Sequence, residues 1–288
     1  MNDYKCGYAK VEMTYCATVM ERIESKQNPR VKQLVKLRKR KYREAYQQYL
    51  IEGCRETMRA LEGFAQIKEL YVCRSFAGGE ELASIVEMAK RNNIAIFELG
   101  QAVFAAVSYR EGPDGILAVA NACLPSLDSL QLSAQPLLLI ADGLEKPGNL
   151  GALLRVADSA GADALICCDL QLDVFNPNVI RASQGAFFST PTYVGECGEV
   201  TEFLKARGIT ICVTSPRAVT CFWDADLSGP TAIVVGNEHA GLSDAWLQQA
   251  DVTVSIPQRG QSDSLNVAAA ATLMLYESLR QRGLSAGG

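Results

Sequence analysis

"LLLIADGLEKPGNLGALLRVADSAGADALICCD", residues 137–169, decides the fold. Two short apolar runs, 137–142 and 164–169, flank a stretch over 149–160 whose small and apolar residues recur at helical spacing. A strand that is apolar throughout, rather than alternating, is buried on both faces, and such strands belong to parallel sheets. The pattern continues downstream. Strand-like runs at 209–215 ("ITICVTS"), 231–236 ("TAIVVG") and 252–257 ("VTVSIP"), a short helix near 243–249 and an apolar helix from 265 predict a parallel sheet covered by helices on both faces.

Upstream, helical patterns over 29–62 and 79–92 alternate with the strand-like "IKELYVC", "IAIFELG" and "GILAVA", which describes a small α/β domain over 21–120. The turn formers of "NACLPSLDSLQLSAQP" make 121–136 a linker, so 137–288 is a second domain and 1–20 a flexible extension. That extension carries charges and no apolar block, so no secretory signal is expected. No apolar run is long enough to span a bilayer, and no membrane partner is expected. The ten cysteines form no CxxC pair and several lie inside strand-like runs, the pattern of reduced thiols in a cytoplasmic protein. With a single histidine, His239, neither a zinc site nor a histidine-dependent triad is well supplied, and no metal is expected.

The net charge of −4 conceals an asymmetry: +4 over residues 1–120 against −8 over 121–288. Within "RVKQLVKLRKRKYR" (30–43), eight of fourteen residues are basic and none is acidic: Arg30, Lys32, Lys36, Arg38, Lys39, Arg40, Lys41 and Arg43. Val31, Leu34, Val35 and Leu37 give a helix one apolar side and leave the cations on the other. A fixed array of cations suits phosphates, because each neutralised phosphate releases condensed counterions. Nucleic acid is the expected partner.

Ligands of a parallel sheet gather at the carboxyl ends of its strands. Three polar or glycine-rich segments follow strands here: 142–155, 236–243 and 257–266. None is a G-x-G-x-x-G turn, a P-loop or a G-x-S-x-G elbow, so dinucleotide, P-loop and common hydrolase chemistry lack their signatures. Asn266 interrupts the otherwise apolar last helix and is expected at its entrance, facing a site built by the three segments.

At these segments the chain resembles the SpoU/TrmH family of RNA ribose methyltransferases, within the SPOUT group. The N-x-G-x-x-x-R pattern is carried by Asn149, Gly151 and Arg155. The strand ending G-x-E-x-x-G is carried by Gly236, Glu238 and Gly241. The I-P then S-L-N pattern is carried by Ile256, Pro257, Ser264, Leu265 and Asn266. "RASQGAFFSTP" (181–191) is also similar to a family segment, and Arg181 within it joins the expected RNA-binding set. The first domain more loosely resembles the family's upstream RNA-binding domain. His239 and Gln258 depart from the commoner residues at their positions.

The resemblance implies an α/β chain with a carboxyl-terminal SPOUT trefoil-knot domain, a homodimer whose active site draws on both subunits, and S-adenosylmethionine as cofactor. It implies methylation of a ribose 2′-hydroxyl, with large-subunit ribosomal RNA the favoured target. A transfer RNA methyltransferase and a catalytically silent ribosome-assembly factor are the alternatives. Backbone groups near Thr214, Gly236, Ile256 and Leu265 would hold the cofactor. Arg155 would grip the phosphate beside the target ribose and orient its hydroxyl. Asn149 would position the ribose, stabilise the arginine loop or cap a helix starting at 150. Ser264 would cap the last helix or touch substrate. Glu238 would tie the site loops or contact substrate, and Asn266, a buried amide, would bind the nucleotide or fix the loops.

Overall fold

The computed structural model describes residues 20–237, 241–261 and 264–283. Glu238, His239 and almost all of the amino-terminal extension lie outside the described residues.

The first domain runs β1 (Glu21–Ile23), α1 (Pro29–Leu37), α2 (Arg40–Tyr46), β2 (Gln48–Glu52), α3 (Cys54–Glu62), β3 (Ile67–Val72), α4 (Gly79–Arg91), β4 (Ala95–Leu99), α5 (Gln101–Val107) and β5 (Ile116–Asn121). Its sheet has the order β1-β4-β3-β5-β2, with β5 antiparallel to both neighbours. The helical reading of 29–62 is corrected here, because β2 cuts through it. Gln47 adopts a left-handed conformation (φ 50°) that ends α2, and "QYLIE" then buries Tyr49, Leu50 and Ile51 against β5. A second break after Leu37 separates α1 from α2, so the basic run bends instead of lying on one helix.

The second domain runs β6 (Leu137–Asp142), α6 (Pro147–Ser159), β7 (Ala164–Cys168), α7 (Pro177–Ser183), β8 (Thr192–Gly195), α8 (Cys197–Ala206), β9 (Thr210–Thr214), β10 (Thr220–Cys221), β11 (Thr231–Val235), α9 (Asp244–Gln249), β12 (Val252–Ser255) and α10 (Val267–Gln281). The seven strands are ordered β10-β12-β9-β11-β6-β7-β8, and every pairing is parallel. Successive strand residues alternate between two cores. Leu137, Leu139, Leu165, Ile233 and Val235 meet α6 and α10 on one face. Leu138, Ile140, Ile166, Val213 and Val234 meet α8 and Trp246 on the other. All strands being parallel, their carboxyl ends share one edge of the sheet, and the three motif segments leave from it.

Two features position the site helices. Gly151 lets α6 pack closely on α7, where any side chain would drive into Ala182 and the Ser183 amide. The domains share a core in which Tyr49 packs on Phe175 (4.7 Å between ring centroids) and on Phe187. Beside it Arg43 pairs with Asp173 at 2.6 Å, both side chains largely out of water. Among the described residues no helix is long and apolar enough to cross a membrane, and the cysteines are free thiols.

Candidate active site

Thr214 is the last residue of β9, Gly236 directly follows β11, and Ile256 directly follows β12. These strands are consecutive in the sheet, β12-β9-β11, so three positions far apart in sequence become neighbours at one edge. Together with Leu265 they line a cavity of about 490 Å³, within the range of ~300–1,000 Å³ usual for small-ligand clefts. Val235, Leu242, Leu247 and Val267 add apolar wall, and Arg217 and Asp244 add one charge of each sign. Ser264 is exposed and lies on the same cavity.

The expected reason for Gly236, close approach of a ligand, meets a nearer one. A side chain at 236 would collide with the Gly241 carbonyl and the Leu242 amide. The glycine is required because Gly241 and Leu242 lie against the strand end, where Asn237 and Gly241 exchange backbone hydrogen bonds at 3.0 and 2.9 Å.

Two residues that the sequence reading passed over hold this loop to the first motif. Asn237 Nδ2 donates to the Gly143 carbonyl (3.1 Å) and to Glu145 Oε1 (3.2 Å). The buried Asp142 carboxylate accepts from the Ser243 amide at 2.9 Å. Asn237 stands within the motif itself, next to Glu238, and Asp142 begins the segment after β6. An amide and a carboxylate at apolar strand ends were the available signal.

The last helix answers the question of its asparagine. Asn266 is the N-cap of α10: its Oδ1 accepts from the Ala268 amide at 3.0 Å. The expectation of a buried amide is corrected, since Asn266 is exposed at the rim. The cap role proposed for Ser264 belongs to Asn266 instead. Asn266 Nδ2 also donates to Asn149 Oδ1 at 3.3 Å, joining the entrance of α10 to that of α6. Asn149 is likewise not an N-cap, because α6 starts at Pro147 with Lys146 as its cap.

Arg155 stands apart from this pair. Six residues on, it lies ~9 Å along α6 and ~120° around it from Asn149. It is exposed, and it does not line the cavity. Among the described residues it makes no hydrogen bond or ion pair. The strand cysteines Cys167 and Cys212 are buried away from the cavity lining, and burial pushes their thiols up to about 12. Among the described residues no cluster of three or more His, Cys, Asp and Glu could hold a metal.

The basic run sorts into three groups. Lys32, Lys36, Lys39 and Lys41 are exposed. Arg30 is paired with Glu69, Arg40 with Glu44 at 2.7 Å, and Arg38 lies over the Tyr109 ring. Arg43 is corrected from RNA ligand to structural residue: it is 3% exposed and spent on Asp173 and the Leu37 carbonyl. Val35, expected on the apolar side, is 41% exposed. Arg181 is exposed on α7.

Residues 136–276 match the SpoU rRNA Methylase family, and residues 28–118 match the MRM3-like substrate binding domain. The chain is 32% identical to the 23S rRNA (guanosine(2553)-2′-O)-methyltransferase RlmP of Bacillus subtilis, over 89% of this chain and 98% of that protein. A crystal structure of an RNA 2′-O ribose methyltransferase superposes with a TM-score of 0.78 at 41% identity, over 91% of this chain and 100% of the other. The SpoU methyltransferase AviRb from Streptomyces viridochromogenes, in complex with the cofactor AdoMet, gives a TM-score of 0.79 at 31% identity, over 88% and 99% of the two chains.

Proposed function

The chain belongs to the SpoU rRNA methylase family, and from that premise we propose that it methylates a ribose 2′-hydroxyl of large-subunit ribosomal RNA with S-adenosylmethionine. One observation carries the reading. The cavity at the ends of β9, β11 and β12 opens beside the Asn149–Asn266 pair, so a place for the methyl donor adjoins polar groups for a ribose.

The residues present fit that donor. Val235, Leu242, Ile256 and Leu265 offer apolar wall for an adenine, and Arg217 with Asp244 offers opposite charges for an amino-acid end. Bound there, S-adenosylmethionine supplies a methyl carbon already activated by its sulfonium. The chain therefore has to position, desolvate and assist proton removal. Asn149 and Asn266 orient the ribose. Ser264, on the cavity wall, contacts the reacting end. A guanidinium stays protonated, so Arg155 grips the phosphate and polarises the hydroxyl instead of acting as an ordinary base.

Arg155 does this in a second copy of the chain. It is exposed and does not line its own cavity, while the neighbouring α10 exposes Leu273 and Tyr276, 40% and 49% accessible, on one stripe. A symmetric dimer closing over α6 and α10 buries that stripe and carries each Arg155 to its partner's cavity.

The test is methyl transfer from labelled S-adenosylmethionine to unmodified ribosomal and transfer RNA, comparing the native chain with Arg155→Ala. Label in ribosomal RNA that resists alkaline cleavage, lost in the variant, is the expected result. Alkali-sensitive label means base methylation and overturns the ribose reading. Label confined to transfer RNA overturns the target.

A further inference from the structure

Tyr109 lies on the seam between the two domains, 37% exposed and held at several points. Its amide donates to Glu52 Oε2 at 2.7 Å, and the adjacent Ser108 hydroxyl also donates to Glu52. Its hydroxyl accepts from Asn178 Nδ2 of α7, in the other domain, at 3.2 Å. The Arg38 guanidinium lies over its ring, 5.5 Å from the centroid. Asn178 Oδ1 in turn accepts from Arg181 at 3.4 Å, and Arg181 shares a shallow depression with Tyr109. Beyond it, Arg55 of the first domain donates to Gln184, the C-cap of α7, at 3.4 Å. One cation from each domain, Arg38 and Arg181, thus flanks one partly open aromatic ring.

A tyrosine that served only as a clasp would hide its ring and spend its proton. Here Tyr109 keeps more than a third of its surface open to solvent, and among the described residues nothing accepts the phenol proton. Rigid, partly exposed aromatics flanked by arginines are what unpaired bases stack on, because every base has a π-face and the cations hold the backbone on either side.

We propose that Tyr109 is a stacking platform for an unpaired nucleobase of the substrate RNA, with Arg38 and Arg181 holding the flanking phosphates. The platform rests on the RNA reading above and extends it from the basic run across the seam to α7. Since α7 packs on α6, the platform places a base near the helix that carries Asn149 and Arg155.

The experiment measures binding of the full chain to unmodified large-subunit ribosomal RNA fragments, alongside KM and kcat for methyl transfer. Tyr109→Ala weakens RNA binding about tenfold and raises KM for RNA, with kcat and S-adenosylmethionine affinity unchanged. Tyr109→Phe, which keeps the ring, stays close to the native chain. The phenylalanine also removes the hydroxyl that accepts the seam hydrogen bond from Asn178, and it leaves Asn178's contact to Arg181 in place. If Tyr109→Phe loses as much as Tyr109→Ala, the residue is a clasp and the platform is refuted. Native-like binding by Tyr109→Ala refutes it equally. A native chain that binds RNA without methylating it defeats the reaction reading, while the affinity ratios still decide the platform. A native chain that binds no RNA defeats both.

Discussion

Asn266 does two jobs with one amide, and they can be separated. Its oxygen caps α10 and its nitrogen reaches Asn149. Serine is a comparable cap but too short to span to Asn149. Asn266→Ser is therefore expected to keep thermal stability within ~0.5 kcal/mol of the native chain, while Asn266→Ala loses ~1 kcal/mol. Both lose methyl transfer, measured as turnover at saturating RNA. A serine variant of full activity would show that the Asn149 contact contributes nothing. Asn266 was legible as a helix entrance because an amide stands beside an unbroken apolar run. Its exposure was not legible, since whether a cap faces core or solvent depends on where the helix docks.

At the scale of elements, the basic run shows how one composition divides into different roles. Lys39 and Lys41 are exposed, the latter's ammonium over the Tyr42 ring, whereas Arg43, four residues after Lys39, is turned inward by α2 to meet Asp173 of the other domain. Removing one partner of a buried pair strands the other, at a cost of ~3 kcal/mol. Arg43→Ala is expected to lower the unfolding free energy by about that amount in denaturant melts. Lys39→Gln with Lys41→Gln leaves it unchanged and weakens RNA binding with a flatter salt dependence. Unchanged binding and salt slope in the double variant would remove the basic run from the RNA surface. Arg43 sits among seven other cations, and nothing local distinguishes it from them. Its partner is 130 positions away. The strand β2 escaped the sequence reading for a related reason: "QYLIE" is short, and only its pairing with β5 separates it from a helical face. By contrast α8 was readable and passed over, for Val200, Phe203 and Leu204 bury one face at helical spacing.

For the whole molecule, the α6–α10 face raises the question of assembly. Replacing Leu273 by aspartate puts a charge on the stripe that a second copy would cover. In sedimentation experiments Leu273→Asp is expected to run as a monomer, to retain its thermal transition, and to lose methyl transfer. A native chain that is monomeric at working concentrations, yet fully active, would return Arg155 to its own protomer's cavity. The sequence by itself determined the parallel sheet of the second domain, since buried parallel strands must be apolar throughout and the intervening helices must be amphipathic. It also pointed to the strand ends that line the cavity, because polar motifs after apolar strands gather at the carboxyl edge of the sheet. Only the tertiary structure decided that β12, β9 and β11 are neighbours, that Asn237 and Asp142 bind the motif loops together, and that Arg155 is exposed and does not line the cavity. Each of these depends on strand order and helix rotation, which are set by packing between segments remote in sequence rather than by any local pattern.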